Sequence, residues 1–413
     1  MMGICLLLAL CSPWFTNEIT WSIWLPFRER IQWALSIPTQ PRGDNRVFWP
    51  SRKCTDGFEN STRNEDIIQE LSHFQNSLAQ VVSLLPDDDT WIEMLRLVEG
   101  TGDERLRGLS LRTRAYQTYF QAWENLHIVQ CGKDLYSGDD VLQNLRASNI
   151  SQEDQVQSVQ AYQAYRYFLA HLAELLFPWT SPYFADHMTL HLQNSKGRGI
   201  VYTASDLYVS HLVISIQTLR YLNCTLPIEV MYFGDQDLTP ESRKRLEQLP
   251  NVITLDMSYM VRNDDFRLAG WGLKPFALLL SSFREAILID ADAYFLRNPE
   301  SLFSDSSFLR TGALFFFDRL AAPKQDKKAW LQRILPEPVS KSVQRNRFWT
   351  GESKHMQESG VVVIDKWRHM VALLLVCRLN GPERDDAIEF NNLNKLVHGM
   401  SPPSLLKYIT DLQ

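Results

Sequence analysis

Cysteine is scarce in this chain of 413 residues and never falls into a metal-binding pattern. There are six, with no CxxC pair and no Cys/His cluster, which argues against a structural zinc site. Four of them, Cys54, Cys131, Cys224 and Cys377, lie beyond the N-terminal segment, and four allow three disulfide pairings. Glycine-rich phosphate loops are missing too. No GxGxxG follows a strand-like run and no GxxxxGKS or GxxxxGKT occurs, which argues against a dinucleotide enzyme and a P-loop NTPase. No GxSxG elbow is present, which disfavours a serine hydrolase of that type. Positive charge is not in excess: the formal net charge is -6, so nothing in the balance calls for nucleic acid. An anionic nucleotide held through a metal and local donors stays compatible with it. A clean membrane span is also lacking. Residues 3–15 are apolar but fall short of the roughly 20 residues a span needs, and no Lys or Arg precedes them. Extended to Phe27, with Glu18 its only charge, residues 1–27 read as a signal or signal-anchor-like segment.

What is present suits a folded protein with a large domain and a smaller region: 45% of residues are hydrophobic and 22% charged. Three Asn-x-Ser/Thr sequons, at Asn60, Asn149 and Asn223, fit entry into the secretory route. The Pro-bearing stretch 28–56 reads as a stem or linker. Residues 57–180 read as a helical accessory region. Thr62 and Glu65 have capping-box spacing, and Ile67, Leu71, Phe74, Leu78, Val81 and Leu85 recur on one helix face. Pro86 stops that helix, and the Asp87-Asp88-Asp89 run caps the next. Further helices are expected over 113–129 and 152–176.

From Lys196 the pattern changes to strands alternating with helices. Strands are expected at 199–204, 228–234, 252–255, 312–317 and 360–364 and through the Asp290-Ala291-Asp292 stretch, with helices at 208–221, 239–249, 272–283 and 367–379. This alternation predicts an α/β fold, a mainly parallel sheet flanked by helices. The stretch Glu285 to Leu296 organises it. An apolar strand ends in Asp290-Ala291-Asp292, and in an extended segment residues i and i+2 project together. Ligands bind at the carboxyl end of such strands. Two neighbouring carboxylates repel each other unless a cation lies between them, and a hard divalent ion shared with a diphosphate is the natural occupant. The pattern alone leaves open a solvated acidic turn.

Four stretches occur in order: Gly197-Arg198-Gly199-Ile200-Val201-Tyr202-Thr203-Ala204, Leu273-Lys274-Pro275-Phe276-Ala277, Leu288-Ile289-Asp290-Ala291-Asp292 and Gln357-Glu358-Ser359-Gly360 running on to Asp365-Lys366. Together they resemble the fungal MNN1-type α-1,3-mannosyltransferase family over residues 196–399. The resemblance implies a GT-A-like glycosyltransferase domain in a Golgi membrane protein of type II topology, with that domain luminal. It implies retaining transfer of mannose from GDP-mannose, with Mn²⁺ or another divalent cation, to a mannosylated glycan or glycoprotein. Thr203 and Ala204 would line the nucleotide pocket, and Lys274 would approach the phosphates. Asp290 and Asp292 would hold the metal, Asp292 directly, with ribose or sugar an alternative partner for Asp290. Glu358 would stand beside the anomeric carbon or acceptor hydroxyl. Trp271 would line the sugar pocket, a core role being the alternative. Beyond Gly399 the family pattern continues into an Asp-Lys-Glu stretch and a Trp-containing helix, whereas here Met400 to Leu405 diverge and 400–413 read as a shortened tail. A chain shortened there would lose part of the acceptor site. The second reading is therefore a weak or inactive relative that binds glycan or nucleotide-sugar or scaffolds active transferases, and a transferase using another donor is a third.

Overall fold

The computed structural model describes residues 63–100, 102–131, 134–137, 152–180, 195–262, 268, 270–317, 326–352 and 358–383. The leader, stem and tail expectations, two of the sequons and the Thr62 cap lie outside these residues. Among the described residues no helix is long and apolar enough to cross a membrane. The chain divides into two compact units, one formed by residues up to 97 with 118–172, the other by 98–117 with 173–413.

The first unit is helical. Helix α1 spans Arg63–Ser83 and α2 Asp88–Leu95; α3, Gly102–His127, belongs to this unit in its second half, and α4 is Gln152–Leu176. Phe74, Leu78 and Val81 of α1 are buried, as the helical spacing requires. Asp87 caps α2 by accepting the Thr90 N–H at 2.8 Å, the capping role expected of the acidic run. A hairpin of β1, Ile128–Cys131, and β2, Asp134–Ser137, carries no sequence signal, because four-residue strands are too short to show a period.

The second unit carries a six-stranded sheet. Its strands are β3 Arg198–Thr203, β4 Ile228–Tyr232, β5 Val252–Asp256, β6 Glu285–Ile289, β7 Ala313–Phe316 and β8 Glu358–Asp365. Their order is β5-β4-β3-β6-β8-β7. The β3–β4, β3–β6 and β4–β5 pairs are parallel, and β8 runs antiparallel to β6 and β7. The connecting helices are α5 Val209–Tyr221, α6 Pro240–Glu247, α7 Leu273–Leu280, α8 Ser306–Thr311, α9 Asp326–Ile334 and α10 Met370–Asn380. Thr239 caps α6 with Pro at its first turn. Ile200, Val201, Tyr202, Val230, Met231, Ala286 and Ile287 are fully buried, so the central strands read as continuous apolar runs. Cys224 and Cys377 are buried free thiols, so they are not bridged.

Two buried charges close the end of the sheet away from the acidic turn. Glu229 accepts the Ser282 N–H at 3.0 Å and the Ser282 hydroxyl. Lys366 donates to the Leu279 carbonyl at 3.3 Å and to the Ser281 carbonyl. Burial pushes the Lys366 ammonium down to about 7, with Glu229 acting in the opposite sense. Between that value and the ordinary lysine range the unfolded chain holds more protons than the folded one. Stability therefore rises with pH across that window, by at most about 1.4 kcal/mol per pH unit. Lys366→Met is expected to flatten this rise in urea melts at pH 7, 8 and 9; parallel profiles for the two proteins would count against the assignment.

Candidate active site

The chain leaves β3 toward β4 on one side and returns from β5 to β6 on the other, so the strand order reverses between β3 and β6. Their register pairs Val201 with Leu288. On the other flank Ile289 pairs with Val361, and the Asp290 N–H donates to the Gly360 carbonyl at 2.8 Å. The carboxylate turn thus sits at the switch point, with β3 on one side and β8 on the other.

The turn differs from the extended geometry expected of it. Strand β6 ends at Ile289, and the Ala293 N–H donates to the Asp290 carbonyl at 3.0 Å, closing a turn over Ala291 and Asp292. The two aspartates therefore meet different surroundings. Lys274, the second residue of α7, places its Nζ 2.6 Å from Asp290 Oδ1 and 2.8 Å from Oδ2. Burial pushes the Asp290 carboxyl up, the Lys274 charge and hydrogen bond draw it down, and Asp292 and Glu358 push it up again; the net direction is upward. Asp292 is exposed and has no hydrogen bond or ion pair among the described residues.

Glu358, the first residue of β8, is exposed, and its Oε1 accepts the Gly360 N–H at 3.0 Å. A side chain on Gly360 would begin 3.4 Å from Glu358 Oε1 and 3.6 Å from Asp290 Oδ2, so glycine there keeps the space between the two carboxylates clear. Three carboxylates face one ammonium, a balance that suits a divalent cation. Among the described residues no group of three or more His, Cys, Asp or Glu side chains is placed to hold a metal ion by itself. One or two carboxylates supplemented by phosphate oxygens and water is how Mg²⁺-like ions are held, so the donor set fits a cation shared with a diphosphate.

The remaining expected residues are less central. Thr203 is half-buried at the end of β3, and its hydroxyl has no partner among the described residues. Ala204 is buried, and its N–H is engaged by the Met231 carbonyl at 2.9 Å. Trp271 is 64% exposed on the turn Gly270–Gly272 that leads into α7, which sets aside the core role.

Other residues at this end carried no sequence signal. Tyr202 and Ser215, both buried, share a hydrogen bond at 2.8 Å, and the Ser215 hydroxyl donates to the Ala293 carbonyl at 3.2 Å. This relay ties β3 and α5 to the turn that carries Asp292. Ser215→Ala would leave the Ala293 carbonyl and the Tyr202 hydroxyl short of a partner. It is expected to lower stability by about 1–3 kcal/mol in a denaturant melt, with Ser215→Thr closer to the parent; equal loss in both would point to packing instead. Tyr294, exposed two residues after Asp292, hydrogen-bonds His211 at 3.2 Å, and the His211 and Tyr208 rings lie 6.4 Å apart.

A model of the family described as "Mannosyltransferase putative" matches residues 197–399. Over that region the chain is similar to this mannosyltransferase family. The match begins at the Gly197-Arg198-Gly199 stretch, takes in β3 through β8 and ends at Gly399, close to the bounds drawn from the motifs. "Putative alpha-1,3-mannosyltransferase MNN14" of Candida albicans is 29% identical over 210 residues, covering 45% of this chain and 30% of its own length. "Alpha-1,2-mannosyltransferase MNN24" of the same organism is 36% identical over 115 residues, covering 27% of this chain and 16% of its own. "Alpha-1,3-mannosyltransferase MNT2" of Saccharomyces cerevisiae is 24% identical over 246 residues, covering 51% and 42% respectively. The chain thus spans less than half the length of these mannosyltransferase relatives. Among solved structures, "WbbM bifunctional glycosytransferase apo structure" aligns with 67% of this chain and 55% of its own at 12% identity, with a TM-score of 0.29.

Proposed function

We propose that this chain transfers mannose from GDP-mannose to a mannosylated glycan, with retention, at a metal-dependent site. The observation that carries the reading is the Asp290–Asp292 turn, set at the switch point of the sheet with Lys274 against it, in a chain similar to a mannosyltransferase family. The donor would lie across the ends of the strands. Its diphosphate would sit over the turn on β6. Glu358 on β8 marks the side of the reacting sugar, which leaves the nucleoside toward β3, near Thr203, Tyr208, His211 and Tyr294.

In the reaction the bond between the anomeric carbon and the diphosphate oxygen breaks, and the diphosphate leaves with the electron pair. An acceptor hydroxyl forms the new C–O bond and gives up its proton to the departing diphosphate. Lys274 faces the charge that develops on the diphosphate, and a divalent cation, when bound, neutralises more of it. Glu358 faces the positive anomeric carbon, where a carboxylate stabilises an oxocarbenium-like centre or attacks it. An α-1,3 linkage is the proposal, since MNN14 and MNT2 carry that name; MNN24 carries the α-1,2 name. We place the protein in the Golgi membrane through residues 1–27.

The purified chain, given GDP-mannose, an α-mannose oligosaccharide and Mn²⁺, is expected to release GDP and extend the oligosaccharide. The new linkage is read by NMR, and chelation with EDTA is expected to stop the reaction. Turnover with a UDP-sugar in place of GDP-mannose would overturn the donor assignment, and turnover unaffected by chelation would overturn the metal. GDP binding without transfer would favour the non-catalytic reading.

A further inference from the structure

We propose that Lys274 is the resident cation of this site and makes binding of a divalent cation and of a nucleoside diphosphate mutually dependent. The proposal rests on the nucleotide-sugar reading above. Both Asp290 oxygens are engaged by the one ammonium, at 2.6 and 2.8 Å, with side-chain exposures of 14% for Lys274 and 25% for Asp290. The stem is anchored: Leu273, Pro275 and Phe276 around it in α7 are buried. The ammonium itself stands on four flexible carbons and can change partner.

With Asp290 paired to Lys274, a divalent cation arriving alone meets the two carboxylates outside that ion pair, the exposed Asp292 and Glu358, and an ammonium that repels it. A diphosphate offers Lys274 a second partner, and the Asp290 oxygens then become available. The cation in turn offsets charge that the diphosphate brings against Asp292 and Glu358. Each ligand therefore removes an obstacle to the other, and linkage requires the effect to be equal in both directions. Typical couplings of this kind are about 5- to 150-fold, and an exchange between partly buried charges belongs in the upper part of that range.

The test is a titration of the full chain with Mn²⁺, followed by the EPR signal of the free ion, alone and with saturating GDP or UDP. In the parent protein Mn²⁺ is expected to bind weakly alone and roughly 10- to 100-fold more tightly with GDP. Lys274→Met is expected to bind Mn²⁺ alone about tenfold more tightly than the parent, with the coupling reduced about tenfold and only the direct contact between cation and diphosphate left to carry it. Lys274→Arg keeps the charge and is expected to keep the coupling. A coupling below about threefold in the parent overturns the proposal, as does a Lys274→Met protein whose affinity for Mn²⁺ alone is unchanged or weaker. Should Lys274→Met fail to fold, the parent and Lys274→Arg titrations decide the matter. Binding of both ligands without coupling removes the Lys274 inference and leaves the proposed function standing. Absence of any nucleotide binding, with GDP or UDP, removes both.

Discussion

Asp292→Asn is expected to lower the proposed mannose transfer by about 10²- to 10³-fold while the protein folds and melts as the parent does. The rate loss follows from removing a carboxylate that would hold the cation against the departing diphosphate, and stabilisation of that kind in comparable electrostatic sites is worth roughly 3–4 kcal/mol. The stability follows from geometry: Asp292 is exposed with no partner among the described residues, and such substitutions usually stay within about 0.5 kcal/mol. Steady-state rates and a thermal melt check the two halves. Asp290→Asn serves less well, because it strands a part-buried Lys274 and mixes lost stability with lost function. Activity retained within threefold in Asp292→Asn would mean that the charge at this turn is not used.

Arg378→Met is expected to remove about 3–5 kcal/mol of stability, the usual loss when one partner of a buried ion pair is deleted. Arg378 is 5% exposed and Glu383 1%. The Arg378 Nε donates to Glu383 Oε1 at 2.9 Å, and its guanidinium also donates to the Leu175 carbonyl at 2.9 Å and to the Leu176 carbonyl. Arg105 holds the other side of the same carboxylate, with Nε 2.7 Å from Oε2. Burial pushes the Glu383 carboxyl up, but the hydrogen bond from Arg105 and the charge of Arg378 outweigh it, and the net direction is downward. The contribution is therefore present above the ordinary glutamate range and is lost as pH falls through the depressed folded value. Urea melts at pH 7 and at pH 3 are expected to show a large difference between variant and parent that narrows in acid. A loss below about 1 kcal/mol at pH 7 would show that Arg105 and solvent suffice.

The parts of this fold legible in the sequence are those where a local period maps onto a buried face. The apolar runs around Ile200, Val230 and Ile287 could only be strands buried on both sides, and the acidic pair had to lie just past one of them. Strand β8 was equally visible, but its antiparallel direction was not, because a central strand is apolar whichever way it runs. The glycine of Gly197-Arg198-Gly199 illustrates what no period reveals. A side chain on Gly199 would begin 2.3 Å from the Phe283 ring, a contact made across 84 residues of chain. Lys274 and Asp290 lie 16 residues apart, on a helix start and past a strand end, so their pairing depends on the packing of α7 against β3 and β6. The Tyr202–Ser215–Ala293 relay leaves no trace in the sequence for a related reason: a buried tyrosine and a helical serine have the pattern of ordinary core. The spacing marks Asp290 and Asp292, but only the structure shows that Asp290 is paired with Lys274 while Asp292 has no partner among the described residues.

The most direct measurement is calorimetric titration of GDP, with Mn²⁺ present, into the parent chain and into Asp290→Asn/Asp292→Asn. Heat of binding in the parent that disappears on chelation, and is absent from a folded double variant, is the result this account requires. Equal GDP affinity in the two proteins would show that the nucleotide is held elsewhere and that the acidic turn at the β3–β6 switch is not its site.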